Sequence, residues 1–229
     1  PKSRDILRKV VRTHPSRPTL DAIKWFGFTI ARIGGEDGPA VMLCRSGFTG
    51  ELGYEIFCDT RDAETVWDRL MEAGEPEGLR PMGGAALYML RIEAGLMISG
   101  AEFGPEVDAF EAGLAFAVDF KKPEFLGRAA LERNASAQRR KLVGLLFSGN
   151  EAPHHGDGVF VGRDRVGTVT SASYSPELSH AIAMARVAVE DADNGTVLEV
   201  GKLDGHMKRL PAAVTSLPFI DPSREKARA

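Results

Sequence analysis

The chain lacks a net positive charge. Its 29 lysines and arginines are outnumbered by 32 aspartates and glutamates, which gives a formal net charge of −3. Without a basic field, no nucleic-acid partner is predicted. Long hydrophobic runs are also missing, since the longest ones, such as Leu142–Phe147, are far too short to cross a bilayer. The first residues show no signal-peptide pattern, so the sequence favours a cytoplasmic protein that does not enter a membrane.

Cysteine is scarce, with only Cys44 and Cys58 in the chain. The two have no CxxC spacing and no histidine nearby, so neither a disulfide framework nor a zinc site is predicted. We interpret both as buried thiols, with a redox role as the alternative. The glycine-rich stretches lack phosphate-loop and dinucleotide-loop patterns, which argues against nucleotide binding.

The composition is that of an ordinary globular protein. The 229 residues are 43% hydrophobic and 27% charged, and they suffice for one large domain or two modest ones. The first residue is Pro1 rather than methionine, so we expect a processed chain, a fragment, or one chain of a split protein.

Hydrophobic spacing predicts an α+β domain followed by an antiparallel β-barrel. In the first domain, a helix over 4–12, a hairpin, a third strand and two further helices favour an antiparallel sheet. Predicted strands there cover 26–33, 41–45 and 54–58, and predicted helices cover 62–73 and 82–95. Beyond a connecting helix over 126–138, short apolar segments separated by turn residues indicate a barrel or a Greek-key sandwich. We therefore predict an α+β domain over 1–138 and a barrel over 139–229.

One segment carries a chemical signal, and it reads Arg45-Ser-Gly-Phe-Thr-Gly-Glu-Leu-Gly-Tyr-Glu-Ile-Phe57. Three glycines permit unusual backbone conformations and the close approach of a flat ligand. Glu55 follows them at the entry to a strand. One carboxylate can accept from a ring N–H and an exocyclic amino group together, which is the chemistry needed to hold a pterin or a purine edge. The alternative is a solvent-facing strand residue.

Five stretches in order give the chain a resemblance to a known family. They are the segment above, Leu90-Arg-Ile-Glu-Ala-Gly-Leu, Lys141-Leu-Val-Gly-Leu, Val166-Gly-Thr-Val-Thr-Ser and Leu217-Pro-Phe-Ile. Together they resemble the aminomethyltransferases of the glycine cleavage system, or T-proteins, and their folate-dependent relatives. The resemblance implies an α+β folate-binding domain that is incomplete at its N-terminus, followed by a barrel.

The resemblance also implies site residues. Glu55 matches the family glutamate that binds the pterin, with Tyr54 beside it as a wall. Phe116 aligns where T-proteins often carry a tryptophan against the aminobenzoyl ring, although packing of 114–118 in a core is an equal alternative. No residue matches the family's catalytic aspartate, so the catalytic residue is unknown and is expected outside this segment, either in the same polypeptide or on a separate chain.

Two departures from the family pattern concern the substrate. Leu87 stands where T-proteins carry an arginine, and Tyr88 follows it. Loss of that positive charge argues against a standard glycine-cleavage substrate. The segment Pro218–Arg224 resembles the ending of the folate-binding domains of dimethylglycine and sarcosine dehydrogenases more than the ending of a T-protein. The resemblance thus implies transfer of a one-carbon group from a small methyl donor to tetrahydrofolate, and the alternative is a non-catalytic folate-binding module with an assembly or regulatory role.

Overall fold

The computed structural model describes residues 2–202 and 208–229. Its internal contacts divide the chain into two compact units. The first unit contains the residues up to Leu90 together with Ser223–Ala229, and the second contains Arg91–Pro222. The boundary near residue 139 that the sequence suggests stays a prediction.

The first unit is built on a four-stranded antiparallel sheet in the order β1-β2-β3-β4. Its elements are α1 (Ser3–Val10), β1 (Val11–Thr13), β2 (Phe28–Ile33), β3 (Ala40–Cys44), β4 (Glu55–Cys58), α2 (Ala63–Gly74) and the beginning of α3 (Gly84–Glu93). The predicted hairpin is confirmed, because β2 and β3 pair antiparallel. So is the third predicted strand, β4, which pairs with β3.

Strand β1 is absent from the sequence prediction, which continues the first helix to residue 12. The helix ends instead at Val10, because Val11 takes an extended conformation and pairs with Ile33 of β2. Pairing with a distant strand outweighs the local helical pattern here, as tertiary contacts often do.

The helices α1 and α2 pack on one face of this sheet. Strand alternation turns Ala31, Ile33, Val41 and Leu43 to the side where Leu7 of α1 and Val66 of α2 complete the core. The opposite face carries the alternate residues of the same strands. The sheet is therefore buried on the helical side, whereas the side chains on the other side, here called the open face, are exposed or partly buried.

The second unit contains α4 (Arg128–Ser136) and a closed barrel, which confirms the predicted antiparallel β-barrel. The barrel order is β10-β5-β8-β7-β6-β9. Its strands are β5 (Arg140–Phe147), β6 (Gly158–Val161), β7 (Asp164–Ser175), β8 (His180–Ala188), β9 (Val197–Gly201) and β10 (Arg209–Thr215). A short helix after the barrel, α5 (Glu225–Arg228), belongs to the first unit.

A buried ionic cluster lies within the second unit. Arg91 donates to Glu102 at 2.9 Å and to the Ser171 hydroxyl at 2.6 Å, and the two charged side chains are 1% and 0% exposed. Ser171 also donates to the second carboxylate oxygen of Glu102 at 2.5 Å. Each buried charge thus has close partners, as burial of a charge requires.

Candidate functional site

The turn between β3 and β4 contains the three glycines of the sequence motif. Gly50 has φ of +77°, a left-handed conformation that favours glycine. Gly47 and Gly53 lie outside that region. A Cβ added to Gly47 would lie 3.6 Å from the Gly53 Cα, an ordinary contact. The special backbone geometry predicted from the glycines is therefore found at Gly50 alone.

Glu55 lies at the start of β4 on the open face of the sheet. In the strand register it pairs with Cys44 of β3, and Cys44 pairs in turn with Phe28 of β2. The Glu55 side chain is exposed. Its carboxylate accepts a hydrogen bond from the hydroxyl of Ser46, at the beginning of the turn. Ser46 is a partner that the sequence alone does not reveal, because the two residues lie nine positions apart across an irregular turn.

The next row of the open face is apolar. Ile30, Met42 and Phe57 pair across β2, β3 and β4. Phe28 is 60% exposed and Phe57 is 53% exposed, and Ile30 is exposed as well. Scattered exposed apolar residues are common, but a contiguous group around one carboxylate is typical of a binding surface.

Both cysteines are partly buried rather than fully buried, which corrects the sequence interpretation. Cys44 lies on the open face, and Cys58 packs at the edge of the helical-side core. Partial burial raises the pKa of the Cys44 thiol, and the negative charge of Glu55 raises it further. Both effects favour the neutral thiol of Cys44 over the thiolate.

The side chains of Tyr54 and Glu55 lie on opposite sides of the sheet, because successive residues of an extended chain alternate. Its ring packs against the helical-side core, and its hydroxyl accepts from the Nε of Arg4 at 3.0 Å. The cofactor-wall role that the resemblance implies for Tyr54 stays a prediction.

The other predicted residues lie on separate elements. Leu87 and Tyr88 are on α3, and both are partly exposed. Phe116 is in the second unit, on a 3-10 turn over Ala115–Ala117. Its side chain is 87% exposed, so the core-packing alternative for Phe116 is wrong. The binding roles of all three residues stay predictions.

The described part of the chain contains neither a cluster of metal ligands nor a membrane-spanning helix. Over residues 2–202 and 208–229, no group of three or more histidine, cysteine, aspartate or glutamate side chains is arranged to hold a metal ion. Within the same ranges, no helix combines the length and the apolar character needed to cross a membrane.

The chain combines an α+β unit, whose sheet carries an exposed carboxylate, with a closed six-stranded barrel. A family model described as the GCVT N-terminal domain matches residues 1–122, and one described as the glycine cleavage T-protein C-terminal barrel domain matches residues 140–221. The chain belongs to the glycine cleavage T-protein family. The resemblance deduced from the five sequence stretches is thereby confirmed.

Relatives of known name match almost the whole chain. The chain is 48% identical over 231 residues to a trimethylamine-oxide aldolase of Ruegeria pomeroyi. That alignment covers 100% of this chain and 29% of the aldolase. An aminomethyltransferase of Halothermothrix orenii is 37% identical over 96% of this chain and 59% of its own length. The crystal structure of aminomethyltransferase T from Bartonella henselae superposes with a TM-score of 0.79 at 26% identity, over 96% of this chain and 57% of that one. The chain thus spans well under two thirds of these relatives.

Proposed function

We propose that this chain is the tetrahydrofolate-binding portion of an enzyme that transfers one-carbon groups. The observation that carries the proposal is the Glu55 carboxylate on an open strand face, beside a glycine turn, in a chain of the T-protein family. A single carboxylate in such a position suits the edge of a pterin ring better than a phosphate or a hydrocarbon chain.

Hydrogen-bonding capacity supports this role for Glu55. An ionised carboxylate has about four lone-pair sites. The Ser46 hydroxyl uses one oxygen, Oε2, and no other hydrogen bond to this side chain is found within the described ranges. The remaining sites can accept from a ring N–H and an exocyclic amino group. Ser46 also limits the rotation of the carboxylate, which lowers the entropy lost on binding.

The apolar side chains of the open face support a flat ligand. Phe28, Met42 and Phe57 offer aromatic and thioether surface next to Glu55, and such surface packs well against a heterocycle. Tetrahydrofolate, when bound, supplies a nucleophilic N5 nitrogen for the one-carbon group. The residues of this chain would hold and orient the ring, so that their contribution to catalysis is positioning.

For the donor, we propose a small methylated amine. Leu87 replaces the arginine that the family pattern carries, so an anionic donor group loses its charge partner. The 48% identity to a trimethylamine-oxide aldolase favours the same class, whereas the aminomethyltransferases are less similar. We place the catalytic carboxylate outside this segment, either elsewhere in the same polypeptide or on a separate chain.

A non-catalytic folate-binding module is the alternative. Turnover separates the two functions: a methylated or methylene folate product formed from an added methylated amine by the complete protein supports the enzyme. Folate binding with no product from any methylated amine supports the module.

The direct test is calorimetric titration of the complete protein with tetrahydrofolate, for the wild type and for Glu55→Gln. Glutamine keeps the shape but loses the charge and presents N–H groups toward ligand donors. Loss of a charge-assisted pair predicts about a tenfold or greater rise in Kd. Glu64→Gln, at an exposed glutamate on α2, is the matched control and should bind like the wild type. Equal affinities for all three proteins would refute the pterin-anchor role.

A further inference from the structure

The seven residues Ser223–Ala229, here called the tail segment, belong by their contacts to the first unit although 132 residues of the second unit precede them. The tail segment contains α5 and contributes no residue to the apolar clusters of the described chain. Hydrogen bonds, an ion pair and a cation–π contact join it to the glycine turn and to residues beside that turn.

Two arginines bind the main chain of the tail segment. The Nη2 of Arg45 donates to the carbonyl oxygen of Arg228 at 2.5 Å and to a main-chain oxygen of Ala229 at 2.7 Å. The Nη2 of Arg4 donates to the same Ala229 oxygen at 2.7 Å. Arg45 is the first residue of the turn that precedes Glu55, so the tail segment is attached directly to its beginning.

Side chains of the tail segment add two further contacts. Lys226 forms an ion pair with Glu51, in the middle of the turn, at 3.3 Å. The guanidinium of Arg228 lies 4.7 Å from the ring centroid of Trp25, a cation–π contact next to the strand entry where Phe26 donates its N–H to the Arg45 carbonyl.

These contacts connect the tail segment to Ser46 and Tyr54, the residues next to the Glu55 carboxylate in space and in sequence, respectively. Arg45 is adjacent to Ser46, whose hydroxyl binds the Glu55 carboxylate. Arg4, which binds the tail segment, also donates to the Tyr54 hydroxyl at 3.0 Å, and Tyr54 is adjacent to Glu55. The turn is thereby fixed at its beginning, its middle and its end.

We propose that the tail segment is a positioning element for Glu55, one that holds the turn from Arg45 to Tyr54 in the geometry that binds the pterin. The proposal rests on the proposed folate function. Each contact is exposed and weak by itself, but together they restrict a turn whose glycines would otherwise leave it mobile. A turn that must be ordered on binding lowers affinity by the cost of ordering it.

The test is deletion of Ser223–Ala229 in the complete protein. Hydrogen exchange at the amides of residues 46–55 should become faster. The Kd for tetrahydrofolate should rise about fivefold, as expected for loss of preorganisation. Because the tail segment lies outside the core, the unfolding temperature should stay within about 2 °C of the wild type. Added peptide of the sequence Ser-Arg-Glu-Lys-Ala-Arg-Ala should restore part of the affinity, which a loss of folding could not show.

A point variant provides a matched comparison. Lys226→Ala removes the ion pair with Glu51 and should raise the Kd by about twofold. Lys208→Ala removes a comparable surface pair with Glu151 on the barrel and should leave the Kd unchanged.

The outcomes separate this proposal from the proposed function. Unchanged exchange at 46–55, or faster exchange with unchanged affinity, would overturn the positioning role, while Glu55→Gln would still report on the pterin anchor. A wild-type protein that does not bind tetrahydrofolate would contradict the proposed function instead, and the exchange rates would then decide by themselves whether the tail segment orders the turn.

Discussion

The sheet of the first unit and the barrel of the second use apolar residues in different ways. In the barrel, every strand pairs on both edges, and the interior is filled by residues such as Leu145, Val169 and Leu198. In the sheet, apolar residues line both faces, and on the open face Phe28 and Phe57 are 60% and 53% exposed. Packing accounts for the barrel residues but leaves those of the open face without a role. We therefore expect a ligand to bind on the open face of the sheet.

The largest expected effect is in the second unit. Glu102→Ala leaves the Arg91 guanidinium buried without its carboxylate, and removal of one member of such a pair costs about 3–5 kcal/mol of unfolding free energy. Urea denaturation of the complete protein measures it. Glu190→Ala, at an exposed position after β8, is the control and should change little. A Glu102→Ala protein as stable as that control would contradict the structural role of the cluster.

A smaller effect sharpens the contrast between the two apolar surfaces. Phe57→Ser on the open face should lower stability by no more than about 1 kcal/mol, because about half of the side chain is already exposed. It should raise the Kd for tetrahydrofolate about fivefold through loss of aromatic contact. Val197→Ser, at an exposed barrel position, should alter neither quantity. If the two variants bind alike, the open face is not the ligand surface.

The smallest effect concerns the Cys44 thiol. Because the folded-state pKa of Cys44 is raised, the thiol contributes stability at pH values below the ordinary thiol pKa. That contribution is lost as the pH rises through the folded-state pKa. Glu55→Gln removes one cause of the shift, so the folded-state pKa should fall. With Cys58 replaced by serine, iodoacetamide should alkylate Cys44 about twice as fast in that variant at pH 8.5. An unchanged rate would show that the Glu55 charge does not act on Cys44.

Much of the fold can be predicted from the sequence, because its elements have strong local patterns. Alternation in β2 and β3, helical spacing in α2, and short apolar segments between turn residues each indicate the element that forms. Strand β1 is missed because three residues beside a helix carry too little pattern. Alternation also cannot tell which face of β2 is covered, since Phe28 and Ile30 are as apolar as Ala31 and Ile33.

The candidate site is less predictable. The motif identifies Glu55, because its glycines and carboxylate are close in sequence. Its environment depends on contacts between distant residues: Arg4 with Tyr54 over 50 positions, and Arg45 with Ala229 over 184. A single sequence carries no record of such pairs. The exposure of Phe116 depends likewise on what packs around it.

The most direct measurement is an experimental structure of the complete protein with a stable reduced folate bound. The account predicts two hydrogen bonds of about 2.7–3.0 Å between the Glu55 carboxylate and pterin nitrogens, with the ring beside Phe57. A folate bound elsewhere, with the Glu55 carboxylate still in contact with Ser46 alone, would contradict it.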